Sequence, residues 1–188
     1  MLEKLIRYIF RKHAKSHINP ADCERKFVNY TNAKTILLLF ESDLNEENIE
    51  IRNIIKTMKA DGKKVVAWGF LDQKNLETPT LFDFRILNKQ NLDFFHKPKP
   101  EFLQELTDQK FDLLIDLSVH EIISLQYVNL YSNATLKSGL KKNNASIYDF
   151  MIEIDKNQPE NHKIETQINA NYIYNQIIFY LKSIQTKD

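Results

Sequence analysis

The stretch that decides the fold is residues 35–70. It opens with an unbroken apolar run, TILLLF at 35–40, and closes with a second run, KVVAWGF at 64–70. Runs of this kind indicate strands buried on both faces, as in a parallel sheet. Between them, isoleucine and methionine recur at helical spacing from about 45 to 60, and Gly62 follows. A strand, a crossover helix and a second strand in this order predict a right-handed βαβ unit.

The same alternation continues downstream. Residues 81–86 alternate between apolar and polar and predict an edge or antiparallel strand, and FDLLID at 111–116 predicts a further buried strand. The other predicted elements are helices at 100–108, 119–131 and 163–185 and strands at 134–138 and 147–154. The sequence therefore predicts a three-layer, Rossmann-like α/β fold, with helices flanking a mostly parallel sheet of about five to six strands.

A basic amphipathic segment precedes the βαβ unit. Apolar residues recur every three to four positions from about residue 2 to 15, which is typical of an amphipathic helix, and residues 1–17 hold five lysines and arginines against Glu3 alone. We predict an N-terminal helix and connector at 1–33, followed by a single α/β domain at 34–188. Three alternatives stay open for the helix: packing on its own domain, contact with a second copy or a protein partner, and peripheral contact with an anionic membrane.

Composition excludes several classes of function. The chain holds three glycines in 188 residues, and none are spaced as GxGxxG or GxxxxGK, which excludes Walker-type and dinucleotide-fingerprint sites. A formal net charge of +1 gives no reason to expect a nucleic-acid partner. Cys23 is the single cysteine, so the chain has no internal disulfide, and we expect a cytoplasmic protein. No cofactor and no metal site are predicted.

Polar side chains follow three of the predicted strands. Glu41 follows the first strand and Asp72 the second. Asp116 ends the 111–116 strand, with Ser118 and His120 just after it. Because ligands of open parallel sheets bind beyond the carboxyl ends of the strands, we expect these side chains to meet. Such an acidic cleft has the groups for general acid–base catalysis or a weak Mg²⁺ site.

Each of these residues also has a structural explanation. The spacing from Ser118 to Glu121 fits a helix capping box, as does the spacing from Asp43 to Glu46. Asp116 shares a strand face with Asp112, where a carboxylate can accept hydrogen bonds from loop amides, and His120 fits a solvated residue in a first helical turn.

Nucleophilic catalysis finds no support in the sequence. The chain has no GxSxG motif, and Cys23 lies in a polar connector with no evident base nearby. The sequence thus favours a binding or interaction module. The alternative is a small enzyme or a sugar- or nucleotide-binding domain that uses the acidic cleft.

Two resemblances accompany these patterns. The basic first helix, FDLLIDLS at 111–118, ATLKSG at 134–139, YDFMI at 148–152 and the closing helix around 176–181 resemble an uncharacterised family of small Bacteroidota proteins of unknown function. That resemblance covers nearly the whole chain and implies no activity.

The second resemblance is local. Residues 111–140, with FDLLIDL and NATLKSGL, are similar to the acceptor-side N-terminal domain of lipopolysaccharide heptosyltransferases. Those transferases bind the nucleotide sugar mainly in a second, C-terminal domain, for which 188 residues leave no room. This resemblance therefore implies a shared, glycosyltransferase-like half-fold and not sugar transfer itself.

Overall fold

The computed structural model describes residues 2–17, 26–42, 48–73, 84–142, 147–153 and 168–184. The strands in these ranges are β1 (Thr35–Glu41), β2 (Lys64–Phe70), β3 (Arg85–Leu87), β4 (Lys110–Asp116), β5 (Asn133–Leu140) and β6 (Phe150–Ile152). The α-helices are α1 (Leu2–His17), α2 (Ile49–Ala60), α3 (Pro100–Thr107), α4 (Ile123–Tyr131) and α5 (Ala170–Ser183). A short 3₁₀ turn at Lys89–Asn91 follows β3.

All neighbouring strands pair in parallel, in the order β3-β2-β1-β4-β5-β6. The chain runs outward from β1 through β2 to β3, then crosses back to β4 and runs outward to the opposite edge. The direction of winding therefore reverses between β1 and β4. This reversal is the place where doubly wound sheets bind ligands. The predicted Rossmann-like α/β fold is confirmed, and the structure adds the strand order, which the sequence left undetermined.

The central strand shows why its sequence is apolar without interruption. Ile36, Leu38 and Phe40 lie in the core that includes α2 and α5. Leu37 and Leu39 point to the opposite face, into the core that includes α3 and α4. Since successive side chains alternate between faces, a strand covered on both sides needs apolar residues at every position.

The N-terminal helix packs on its own chain. Ile6, Phe10 and Ala14 of α1 are buried in a separate apolar cluster with α4. The rings of Phe10 and Tyr127 meet edge to face, with their centroids 4.9 Å apart. Helix α4 consequently lies between α1 and the sheet, and all of its residues from 123 to 130 are buried. The inner face of α1 therefore packs on its own domain, which is one of the three alternatives stated for this helix. Contact of its outer face with a second copy, a protein partner or a membrane stays a prediction.

The edges of the sheet differ from expectation. The segment predicted as an edge or antiparallel strand gives β3, which is an edge strand but parallel to β2, and residues 81–83 lie outside the described ranges. Of the strand predicted at 147–154, β6 spans three of the seven described residues, and residue 154 lies outside the described ranges. Helix α5 begins at Ala170, and the earlier part of the predicted helix, up to residue 167, lies outside the described residues.

Candidate functional site

A cavity of about 450 Å³ lies at the carboxyl edge of the sheet, where the strand order reverses. Its walls come from the first turns of α1, the residues that follow β1 and β2, the segment 89–96 and residues 120–124. We call it the switch-point cavity. Three of the residues predicted from the sequence line it, namely Glu41, Asp72 and His120.

Glu41 and His120 join the two strands that flank the reversal. Glu41 is the last residue of β1, and its Oε2 lies 2.8 Å from Nδ1 of His120. The backbone N–H of His120 donates to Oε1 of the same carboxylate at 2.5 Å. The imidazole is 79% exposed, whereas the carboxylate is 30% exposed. A carboxylate that holds Nδ1 in this way orients the ring and leaves Nε2 outside the contact, which is the arrangement of a general base.

Two further ion pairs line the cavity. Asp72 forms a 2.6 Å ion pair with Lys89. Arg7 of α1 forms an ion pair with Glu121, whose carboxylate is nearly buried. The lining holds four carboxylates, from Glu3, Glu41, Asp72 and Glu121, against the two cations Arg7 and Lys89, so it keeps an excess of acidic groups that these cations offset in part. Arg7 and Lys89 were missed because the rule was applied to the ends of the buried strands. Arg7 lies on a helix, and Lys89 follows the strand predicted as an edge or antiparallel one.

Asp116 does not reach this cavity, although it ends β4. Its Oδ1 accepts hydrogen bonds from the backbone N–H of Ser118, at 2.9 Å, and from the hydroxyl of the same residue. Its Oδ2 accepts from Nζ of Lys142 at 2.8 Å and from the hydroxyl of Tyr148 at 2.5 Å. Lys142 Nζ also lies 2.6 Å from the Ser118 hydroxyl. We call these four residues the Asp116 cluster.

The Asp116 cluster is shielded from solvent. Asp116 is 1% exposed and the side chain of Lys142 is 4% exposed. Burial raises the pKa of Tyr148 well above its ordinary value, and the adjacent Asp116 carboxylate raises it further. Because its four donors occupy both carboxylate oxygens, Asp116 has a structural role here. Hydrogen bonding to a loop amide was the alternative stated for it above.

Gly139 makes this cluster sterically feasible. A Cβ at this position would lie 2.7 Å from the ring of Tyr148 and 3.2 Å from Cβ of Asp116. Glycine on β5 therefore lets the tyrosine approach the carboxylate.

The capping box predicted at Ser118 is wrong. Helix α4 begins at Ile123, and its N-cap Ile122 makes no side-chain capping bond. The hydroxyl of Ser118 is directed instead to Asp116, and the N–H of His120 to Glu41. These two carboxylates hold the segment after β4 in a non-helical path. The second capping box, at Asp43, lies outside the described residues.

Within the described ranges, no three or more histidine, cysteine, aspartate or glutamate side chains form a group that could hold a metal ion. None of the helices in the described part of the chain is long and apolar enough to cross a membrane.

The strand order places this chain in the class of Rossmann-like α/β proteins, here with a cavity at the topological switch point. Within that class it belongs to a family of unknown function, DUF6913, whose model matches residues 3–184. Comparison with curated proteins gave no match. Comparison with solved structures gave none either.

Proposed function

We propose that this protein is a binding module that holds a small polar ligand in the switch-point cavity. The observation that carries the proposal is the position of the cavity, between the ends of β1 and β4, where the strand order reverses. Its volume of about 450 Å³ falls in the range of ligand pockets, roughly 300–1,000 Å³.

The lining supports a sugar or a nucleoside as the ligand class. Phe70 and Ile6 supply apolar wall, and the ion pairs supply both hydrogen-bond donors and acceptors. We expect a ligand without a phosphate or carboxylate group, because the lining holds four carboxylates against the two cations Arg7 and Lys89. A phosphate group would find no glycine-rich loop here.

We propose that β4, α4 and β5, which residues 111–140 cover, share a half-fold with the N-terminal domain of heptosyltransferases, a similarity that carries no argument about the ligand. We also propose a cytoplasmic protein from Bacteroidota, for which the single cysteine and the resemblance quoted above are the support.

Thermal-shift screening tests the proposal, because a ligand that binds only the native state raises the melting temperature. The panel contains sugars, nucleosides, nucleotides and divalent cations. We expect a sugar or nucleoside to stabilise the protein, and Glu41→Gln and His120→Ala to weaken its binding by about tenfold, or about 1.4 kcal/mol. Glu153→Gln is the control, since Glu153 pairs with Lys141 away from the cavity. The proposal fails if no compound shifts the melting temperature, or if the control weakens binding equally.

An enzyme is the second candidate function, favoured by the contact between Glu41 and His120. In that case His120 would exchange a proton with the bound ligand through Nε2, while Glu41 stabilises the charged ring. The measurement is product formation from the ligand found by screening. Turnover that His120→Ala abolishes even at saturating ligand would establish an enzyme, whereas unchanged ligand after long incubation would leave a binding module.

The outer face of α1 supports a further proposal, contact with a protein partner. Leu2, Leu5 and Tyr8 are exposed there, although the inner stripe of the helix is buried. Lys4, Lys12 and Lys15 are exposed as well, so an acidic partner surface would complement this face. Pull-down with charge-reversed lysines tests this contact, and binding that survives the reversal would count against it.

A further inference from the structure

We propose that the first turn of α4 and the hydroxyl of Ser124 together bind an uncharged hydroxyl group of a sugar ring, in a free sugar or in the ribose of a nucleoside. We call this part of the molecule the α4 subsite. It belongs to the switch-point cavity, whose wall includes residues 120–124, so it rests on the function proposed above. It adds the protein groups that recognise the ligand and the ligand group that they recognise.

Ser124 is a buried polar residue whose hydroxyl lacks a partner. It lines the cavity and is 2% exposed, and its Oγ has no hydrogen bond among the described residues. The hydroxyls of three other buried serines all form hydrogen bonds, namely those of Ser118, Ser132 and Ser138. A buried polar group without a partner destabilises the free protein. Because Ser124 lies in a cavity wall, a ligand can supply the missing partner, and the hydroxyl turns to it by rotation between staggered orientations.

The backbone of α4 presents further donors beside this hydroxyl. The N-cap Ile122 makes no side-chain capping bond, and the first backbone hydrogen bond of the helix runs from the N–H of Gln126 to the C=O of Ile122, at 3.0 Å. The N–H groups of residues 123–125 therefore have no acceptor in the described part of the chain. Such groups point out of the N-terminal end of a helix, and here that end forms part of the cavity wall.

Charge determines which kind of ligand oxygen fits these donors. A helix N-terminus by itself favours an anion. The cavity, however, holds four carboxylates against Arg7 and Lys89, and these would repel a phosphate or carboxylate group. An uncharged hydroxyl can accept a hydrogen bond from a backbone N–H and donate its own proton to Ser124 or to a carboxylate of the lining. A sugar ring carries several such hydroxyls on adjacent carbons, which suits a wall of mixed donors and acceptors.

Thermal unfolding of the free, full-length protein tests the state of Ser124. Ser124→Ala should melt at the wild-type temperature or above it, because the substitution removes a buried hydroxyl that has no partner. Ser138→Ala is the matched control, since Ser138 is buried as well but donates to the C=O of Leu114 at 2.8 Å. We expect this control to melt below the wild type. A Ser124→Ala variant that is destabilised as much as the control overturns the proposal, because the hydroxyl would then serve the fold.

Binding of defined probes tests the recognition itself. The probes are ribose and glucose as free sugars and adenosine as a nucleoside, each titrated calorimetrically into the wild type and both variants. We expect Ser124→Ala to raise the dissociation constant of a bound probe by about fivefold or more, since one hydrogen bond to the ligand is lost. Ser138→Ala should bind that probe like the wild type. Binding of a free sugar would identify that source, and binding of adenosine alone would identify the ribose of a nucleoside.

The possible results separate the α4 subsite from the proposed function. Equal affinity of the wild type and Ser124→Ala for a bound probe overturns the subsite and leaves the binding module intact. So does a wild type that binds another compound of the screening panel and none of these probes. If no compound of the panel binds, the proposed function and the α4 subsite fail together.

Discussion

The switch-point cavity and the Asp116 cluster are two regions built on the same plan, with opposite results. Each centres on a carboxylate that ends a strand, Glu41 on β1 and Asp116 on β4. Glu41 contacts the exposed ring of His120, whereas Asp116 accepts hydrogen bonds from buried partners. A position at the carboxyl end of a strand is therefore not enough to make a ligand site. The exposure of its partners decides whether the carboxylate can still contact a ligand.

The largest expected effect comes from breaking the buried pair. Lys142→Met should lower the free energy of unfolding by about 3–5 kcal/mol, because it leaves the charge of Asp116 buried without its cation. Lys141→Met is the control on the adjacent residue, whose exposed pair with Glu153 contributes at most about 1 kcal/mol. Urea denaturation measures both. Equal losses in the two variants would contradict the assignment of the Asp116 cluster as structural.

The next largest loss of stability is expected from a substitution that crowds the Asp116 cluster. Gly139→Ala should cost about 1–3 kcal/mol, since the new Cβ would overlap the ring of Tyr148. The same change in a Tyr148→Leu background should cost less, because the ring carbons that the Cβ meets are gone. Thermal unfolding of the single and double variants measures this coupling. Strictly additive losses would show that the contact with Tyr148 is not the cause.

Asp112 lies on the same strand as Asp116, and an intermediate loss of stability is expected when its carboxylate is replaced. Its Oδ2 accepts hydrogen bonds from the backbone N–H groups of Lys34 and Thr35, at 2.7 and 2.8 Å. Burial raises the pKa of Asp112, but these bonds outweigh it and the net pKa is lowered. Asp112→Asn should cost about 1–2 kcal/mol at neutral pH.

That cost should depend on pH in a defined direction. A carboxylate whose pKa is lowered on folding contributes its full stability above the ordinary aspartate pKa and loses it as the pH falls through the lowered value. Wild-type and Asp112→Asn should therefore converge in stability at acid pH, as measured by denaturation across the acid range. A difference that stays constant down to low pH would contradict the argument.

The smallest effect on stability is expected from a change at Glu41, whose partner is exposed. Glu41→Gln should change the free energy of unfolding by no more than about 0.5 kcal/mol, since its partner ring is mostly solvated. The same denaturation experiment measures it. A loss as large as that of Lys142→Met would mean that Glu41, like Asp116, serves the fold, and the contrast between the two regions would disappear.

The sequence predicted features that depend on local interactions better than features that depend on contacts between distant residues. β1 and β2 were located closely because burial on both faces leaves a local, unbroken apolar pattern. β6 was predicted too long because an edge strand of three residues has little pattern of its own. Gly62 follows α2 with a φ of 77°, the left-handed conformation in which glycine commonly ends a helix, and this rule is local too.

The candidate site was less predictable because it depends on pairs distant in sequence. Glu41 and His120 are 79 residues apart, and both followed from the rule on strand ends. Lys142 lies 26 residues from Asp116 and carries no local signal of its role. The capping box at Ser118 failed for the same reason, since a local rule was outweighed by a buried carboxylate.

The position of α4 between α1 and the sheet also affects the order in which the chain can be completed during synthesis. His13 of α1 and Tyr127 of α4 are in contact, with 3.1 Å between Nδ1 and the hydroxyl, yet they lie 114 residues apart. At about 5–20 residues per second, α1 leaves the ribosome roughly 6–23 s before the residues that bury its apolar stripe. During that interval Ile6 and Phe10 have no partner from α4. The first helix to be made is therefore among the last to be packed, and a nascent chain halted before α4 would expose the stripe to chaperones.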